Sequence, residues 1–353
     1  LGDTTHNIDR FGRLAILAEG KFGVLTSKTA ACVIRYVPEK VAAVIDSTRA
    51  GAVAQDVLGF GGPIPVVASM EAAMAYSPES LLIGIAPRGG ALPVEWRRVL
   101  LEAIEGGLNI LNGLHHVLRD DPEISAAAAR AGVEIWDIRV PRVPEAVATG
   151  ALRRKHAGRV VLTVGSDCRT GKMTVAFELA RYLIAAGQRA EFVPTGQTGI
   201  LLAGWGEAVD RVPGDFMAAV TEDLTISALG RADTVIVEGQ GSIIHPAYSA
   251  VALGIMHGCC PDAMILCHQP SRTSIPDYDV AFPPMPELIR LHEEAAAWVK
   301  PSRVVAIAVN TFDMEETEAR KAAARLEDET GLPVVDALRW GCSGLASALE
   351  ETP

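Results

Sequence analysis

Along nearly the whole chain, short runs of aliphatic and β-branched residues alternate with Ala- and Leu-rich stretches whose apolar positions recur at helical spacing. In the first half, residues 31–36, 41–46, 64–67, 81–86, 108–112 and 133–139 read as strands, and residues 96–105 and 123–131 as helices. Strands apolar on both faces and joined by helical crossovers imply a parallel sheet covered on both sides. Around residues 139–158 the pattern breaks. Arg139-Val140-Pro141-Arg142-Val143-Pro144 is too rich in proline for a continuous element, and Arg153-Arg154-Lys155-His156 is a short basic run. A second series opens at Arg159-Val160-Val161-Leu162-Thr163-Val164, with further strands expected at 189–194, 234–238, 263–267, 304–310 and 334–336. The pattern thus predicts two α/β domains with parallel sheets: a Rossmann-like domain at 1–140, a linker at 141–158 and a second domain at 159–353.

Composition narrows the function classes. The 353 residues are 49% hydrophobic and only 5% aromatic, so the cores must be built mainly from Val, Ile, Leu and Ala. Thirty-two basic against 43 acidic residues give a formal charge of −11, which lacks the basic footprint of nucleic-acid binding. No run approaches the ~18 to 20 apolar residues of a membrane span. The opening Leu1-Gly2-Asp3-Thr4-Thr5-His6 has neither a basic start nor an apolar signal core. Six irregularly spaced cysteines do not make a secreted disulfide scaffold, so a reducing cytoplasm is the expected compartment.

The most specific signal follows the first strand of the second series. Val160–Val164 runs into Gly165-Ser166-Asp167-Cys168-Arg169-Thr170-Gly171-Lys172-Met173-Thr174 and then a helix through Leu183. Strand, Gly-bearing loop, Gly-Lys and helix is the order a phosphate cradle needs. Glycine lets the backbone approach the anion, the helix N-terminus offers free N–H groups, and Lys172 adds a point charge. Against the G-x-x-x-x-G-K-[ST] pattern, Gly165 lies one residue early and Ser166 takes the first glycine position. Met173 stands where a hydroxyl would bind Mg²⁺, and a thioether is a poor ligand for that hard cation. Thr174 points about 100° away on the helix. A diphosphate that is held and never cleaved, such as that of coenzyme A, fits this loop better than a nucleoside triphosphate.

Gly165–Lys172 resembles the G-T-D-T-x-V-G-K-T loop of dethiobiotin synthetase, and Val237-Glu238-Gly239-Gln240-Gly241 resembles that enzyme's V-E-G-A-G-G. The longer string Val237-Glu238-Gly239-Gln240-Gly241-Ser242-Ile243-Ile244-His245-Pro246-Ala247-Tyr248-Ser249 narrows the match. So do Gly-Lys-Met-Thr at 171–174 and Cys267-His268-Gln269-Pro270-Ser271-Arg272-Thr273. Together they resemble the D-glutamate N-acetyltransferases, a family long known only as a domain of unknown function. The resemblance implies a Rossmann-like N-terminal domain and a dethiobiotin-synthetase-like P-loop domain. It also implies transfer of acetyl from acetyl-CoA to the D-glutamate amine at the start of D-glutamate breakdown. A Mg-ATP-dependent ligase or kinase of the dethiobiotin synthetase type is one alternative. A non-catalytic nucleotide- or CoA-binding regulator is another. Small molecules are the expected partners, with no nucleic acid and no membrane, and the chain is expected to form a homo-oligomer.

Amine acetylation needs a bound thioester, a proton acceptor and donors for the tetrahedral oxyanion. Three residues are candidate acceptors. Glu238 closes a predicted strand and should face the P-loop, either as a base or as a carboxylate capping the next turn. His245 lies in a loop restrained by Pro246, and a neutral imidazole can take a proton near physiological pH. Asp167 sits inside the loop, where a carboxylate beside phosphates needs an ammonium or cation, unless it closes an Asx-turn. For the coenzyme, Gly165, Ser166, Cys168, Arg169, Thr170, Gly171, Lys172, Met173 and Thr174 form the cradle. For a dicarboxylate substrate, guanidinium forks are expected from Arg49 and Arg88, which follow predicted strands, with Arg272, Gln240 and Ser242 on the second domain. Arg169 and Arg272 could equally meet the coenzyme's 3′-phosphate. No metal site is expected: His257-Gly258-Cys259-Cys260 with Cys267-His268 lacks zinc spacing. No G-x-G-x-x-G opens the first domain, so nicotinamide dinucleotide is not expected there.

Overall fold

A computed structural model describes residues 8–87, 90–142, 144–154, 156–276 and 278–351. Two compact units emerge. The first comprises the residues up to Pro141 together with Ile200–Arg211, and the second comprises Arg142–Gly199 and the residues from Val212 onward. No described helix is long and apolar enough to cross a membrane.

In the first unit, β1 (Leu14–Leu17), β2 (Val41–Ile45), β3 (Val66–Val67), β4 (Ser80–Ile83), β5 (Asn109–Asn112) and β6 (Ile135–Asp137) form one sheet. Its order is β3-β2-β1-β4-β5-β6, parallel at every pairing, which is the doubly wound Rossmann order. The strands are buried almost throughout, and helices such as Val94–Glu105 and Pro122–Ala131 cover them. The expected strand at 31–36 is instead the last six residues of a nine-residue helix, Lys28–Tyr36. Its run of six buried residues, Thr29 to Ile34, reads as a buried strand in sequence, because a short apolar run carries no usable periodicity. The true first strand, β1, is only four residues long and was not expected. Residues 140–150 contain no helix or strand among those described, in keeping with the proline content there; Val143 and Lys155 lie outside the described residues.

The second unit contains β7 (Arg159–Gly165), β8 (Ala190–Val193), β9 (Thr234–Val237) and β10 (Ala263–His268). A short antiparallel hairpin follows, β11 (Ser274–Ile275) and β12 (Val280–Ala281), then β13 (Arg303–Val309) and β14 (Val334–Val335). The main sheet has the order β14-β13-β10-β7-β9-β8 and is parallel at every pairing. From β7 the chain moves to β8 and β9 on one side, then crosses to β10, β13 and β14 on the other. The carboxyl end of β7 is therefore the switch point, where ligands of open parallel sheets collect. Every residue of β7 after Arg159 is buried, and Gly165 at its end lies level with Cys267 on β10. This register brings the loops after β7, β9 and β10 to one edge.

Candidate phosphate site and its surroundings

The loop after β7 folds around its own carbonyls. The Asp167 carbonyl oxygen accepts from Lys172 Nζ at 2.7 Å and from Thr170 Oγ1 at 3.0 Å. Ser166, Asp167, Thr170 and Lys172 are all buried. Arg169 and Gly171 take positive φ of 60° and 105°, so the loop turns twice before the helix Lys172–Ala185 begins. No described side chain caps that helix start, and a helix N-terminus is where backbone N–H groups meet anions. A β-carbon on Gly165 would stand 2.8 Å from Thr170 Oγ1 and 3.0 Å from Lys172 Nζ, so glycine keeps the lysine's path open. Cys168 is half-buried, Arg169 exposed and Thr174 half-buried.

Met173 is buried at 1% exposure. Its thioether belongs to the packed interior, and the position where P-loops present a hydroxyl to Mg²⁺ supplies no hard ligand. Glu238 is committed elsewhere. Its Oε2 accepts from the backbone N–H groups of Thr195 and Gly196 at 3.1 and 3.2 Å. The Glu238 carbonyl accepts from Thr195 Oγ1 at 2.7 Å, and its amide donates to Val193 O. The carboxylate thus ties the end of β9 to the turn after β8. The donor set does not fit Mg²⁺.

Next to Glu238, Gly239 is fixed by close approach: a β-carbon there would lie 1.7 Å from the Thr163 carbonyl oxygen. Gln240 Nε2 donates to Thr195 O at 2.6 Å, so it serves the same turn. Ser242 Oγ is buried and has no hydrogen-bond partner among the described residues. It lines a narrow cavity with Thr163, Gly165, Gly239 and His292.

His245 is buried, with its ring against Tyr248 at 4.7 Å and Tyr278 at 4.9 Å. The Ala247 backbone N–H donates to His245 Nδ1 at 3.0 Å. A backbone amide can only donate, so Nδ1 carries the lone pair and the neutral ring holds its proton on Nε2. Nε2 lies 3.9 Å from Asp167 Oδ1. Burial pushes the imidazolium pKa down and Lys172 reinforces this, while the Asp167 carboxylate opposes it. His245 therefore presents an N–H donor to the loop. Asp167 Oδ1 accepts from the Cys168 amide at 2.6 Å, and Oδ2 accepts from Arg272 Nη1 at 3.1 Å. Arg272 Nη1 also reaches the Cys168 carbonyl at 3.0 Å. Arg272 is thus a strut of the phosphate loop.

Donor atoms of Asp167, Cys168 and His245 all lie within 4.8 Å of one another, a set that could hold a soft cation. Two features oppose it. A metal on Nε2 would force the proton onto Nδ1, against the Ala247 N–H, and the Arg272 guanidinium already occupies the carboxylate. The earlier zinc candidates do not converge either: His257 Nε2 bonds Ala295 O, and the Cys260 thiol bonds His257 O.

Two histidines escaped the sequence reading as site residues. His268 ends β10, and its Nδ1 meets Ser166 Oγ at 2.9 Å; burial, with Arg272 and Arg325, pushes its pKa down to about 4. It was legible in Cys267-His268 but was weighed only as a zinc ligand. His292 donates from Nδ1 to Leu288 O at 2.8 Å and is pushed to about 4 by burial. Nothing in its sequence context marks it. Both are neutral at physiological pH. In the first unit, Arg49 ends the 3-10 turn Ser47–Arg49 after β2, exposed at the carboxyl edge; Arg88 lies outside the described residues.

Comparison with known proteins agrees with this architecture. Residues 146–346 match the family model described as the DUF1611 C-terminal P-loop domain, and residues 47–141 match that described as the DUF1611 N-terminal Rossmann-like domain. The chain is 41% identical to a D-glutamate N-acetyltransferase of Tritonibacter scottomollicae over 80% of its own length and 84% of the relative's. It is 36% identical to another of Pseudoalteromonas sp over 77% and 81%. A crystal structure of a DUF1611 family protein from Anabaena variabilis superposes with a TM-score of 0.91 at 37% identity, covering 96% of this chain and 99% of that one. With both domains matched in order and these relatives aligned over most of their length, the chain belongs to the DUF1611 family, which includes D-glutamate N-acetyltransferases.

Proposed function

We propose that this protein is an acyltransferase that moves the acetyl group of acetyl-CoA to the amine of D-glutamate, the opening step of D-glutamate breakdown. The observation that carries the coenzyme assignment is the cradle itself. A buried lysine and a helix start surround the loop, while the hydroxyl position holds a buried methionine. Such a site holds phosphates without the metal that would help cleave them.

This reading divides the labour. The pantetheine arm of coenzyme A separates its thioester from its phosphates by two amide units and their linkers. Groups tied into the phosphate loop therefore serve the phosphates and do not also reach the reacting carbon. Glu238 anchors the turn after β8, Asp167 orders Cys168 and Arg272, and His245 donates its Nε2 proton toward the loop. The α-ammonium loses its proton at the far end of the arm, and the rate rises with pH because only the free amine attacks. Arg49 and Arg88 remain the candidates for the substrate carboxylates.

Acetyl-CoA at about 100 Kd should raise the melting temperature by several degrees, equivalent to about 2.7 kcal/mol. The rise should persist in excess chelator. Stabilisation by Mg-ATP alone, abolished by chelator, would overturn the proposal in favour of a phosphoryl-transfer enzyme. His245→Phe, which keeps a ring and removes the N–H, separates donor from base. A donor role predicts an acetyl-CoA KM raised about fivefold to tenfold, the worth of roughly one hydrogen bond, with the shape of the pH–rate profile kept. A kcat loss of about 10² to 10⁴ with unaltered coenzyme affinity would instead make His245 the general base.

A further inference from the structure

The excursion Ile200–Arg211 carries charge into the first unit. It ends in a 3-10 turn, Val209–Arg211, pinned by the buried Ala208 and Val209. The turn lays Asp210 and Arg211 against the loops that leave β5 and β6, at the carboxyl edge where ligands of parallel sheets gather. Asn112, buried at the end of β5, braces the first of these loops. Its side chain accepts from the Leu114 amide at 2.9 Å and donates to the His116 carbonyl at 2.7 Å. His115 stands between those two bonds. A β-carbon on Gly90 would lie 2.5 Å from His115 Cδ2, and the His116 amide donates to Gly90 O at 3.0 Å, so the loop after β4 leaves room for the imidazole.

Four titratable side chains meet there. Arg139, two residues past β6 and buried, donates from Nε to Gly113 O at 2.7 Å and pairs through Nη1 with Asp210 Oδ2. Arg211 donates from Nη1 to His115 O, and the other N–H groups of its guanidinium face no described acceptor. His115 Nε2 lies 3.5 Å from Asp210 Oδ2. Asp210 Oδ1, by contrast, is buried and has no hydrogen-bond partner among the described residues. A buried carboxylate oxygen without a donor is costly, and an ammonium group supplies three. Burial, Arg139 and Arg211 push the His115 pKa down while Asp210 opposes them. The ring is therefore neutral at physiological pH and able to take a proton.

We propose that this cluster holds the α-amino-acid end of the substrate: Asp210 Oδ1 accepts from the ammonium, Arg211 binds the adjacent carboxylate, and His115 is the general base. Arg139 is a positioning residue that fixes the Asp210 carboxylate. The side-chain carboxylate of glutamate is left to the arginine candidates already named. The ammonium gives one proton to His115, and the free amine attacks the thioester carbon. The C–N bond forms, the C–S bond breaks, and the departing thiolate takes the second amine proton. His115 then releases the first proton to water. The proton step rests on the acetyl-transfer reading; the ammonium site stands on the geometry of the first unit alone.

Two measurements test the site. Calorimetric titration of the whole protein compares D-glutamate with glutarate, the same dicarboxylate without the amine. The native protein should prefer D-glutamate by at least about tenfold, the worth of a charge-assisted hydrogen bond. Asp210→Asn should bind the two alike. No preference in the native protein, or one that survives in Asp210→Asn, would overturn the ammonium site. His115 is half-buried, so His115→Gln tests the cluster even if Asp210→Asn fails to fold. That variant should lower kcat for D-glutamate acetylation by about 10²- to 10⁴-fold near neutral pH. Both KM values should stay near native, and the deficit should narrow as rising pH supplies free amine. Near-native kcat at every pH, or a loss equal at every pH, would overturn the base. D-glutamate bound through Asp210 in a protein that moves no acetyl group from acetyl-CoA would overturn the proposed function and the proton step, and would support the ammonium site.

Discussion

Lys172→Ala should weaken acetyl-CoA binding by about 10- to 100-fold, the range for losing one hydrogen bond to a charged group. The lysine is buried at 6% exposure and its ammonium sits inside the loop, 2.7 Å from the Asp167 carbonyl. In that low-dielectric position its charge is worth more to a phosphate than a surface lysine's would be. The truncation should leave the fold standing, because Thr170 still holds the same carbonyl. Calorimetric titration reads the affinity and far-UV circular dichroism checks the fold. Wild-type affinity in the variant would sink the cradle assignment.

Gly239→Ala should cost more in stability than any other single methyl in the site. The added carbon would lie 1.7 Å from the Thr163 carbonyl oxygen and 2.9 Å from its carbon, and both are backbone of the central strand. Neither can rotate away, so β7 and the segment after β9 must separate. The Gly239 amide then loses Thr163 Oγ1, now at 3.0 Å, and the adjacent Glu238 loses its alignment on the Thr195 and Gly196 amides. A cost of about 3 to 5 kcal/mol is expected, the scale of overpacking combined with a broken buried network. Gly214→Ala is the control. Gly214 opens a helix with open space around its absent side chain, so that variant should change stability by no more than about 0.5 kcal/mol. Equal melting temperatures for the two variants would show that the close approach is relieved elsewhere.

What the sequence made legible follows from how local each signal is. The phosphate loop could be read because strand, glycine, Gly-Lys and helix are contiguous, and each contributes through its own backbone. The parallel strands of the second unit lie within a residue or two of their expected bounds because each is a mostly aliphatic run, whereas the two-residue strands of the hairpin, Ser274–Ile275 and Val280–Ala281, were not expected. The first unit was harder. β1 is four residues, and the buried helix Lys28–Tyr36 presents an apolar run without visible period, so the eye takes the wrong one for the strand. The individual tasks of Glu238 and His245 were out of reach. A glutamate that caps a turn and one that acts as a base are spelled alike. The difference lies in two amides from a turn more than 40 residues away. For His245 the deciding fact is a single backbone N–H two residues along the chain, which only the folded loop aims at Nδ1.

The excursion of Ile200–Arg211 into the first unit bears on the order in which the protein can be made. Ile200, Leu201 and Ala208 are part of the first unit's core, joined to residues that are synthesised well before them. A chain emerging from the ribosome therefore cannot complete its first domain when Pro141 appears. It must first produce β7, the phosphate loop and β8, then return the segment that fills the waiting cavity. Until then the incomplete core exposes apolar surface, the condition that favours chaperone capture over early independent folding. Domains that finish in chain order escape that interval; this one carries it in its connectivity.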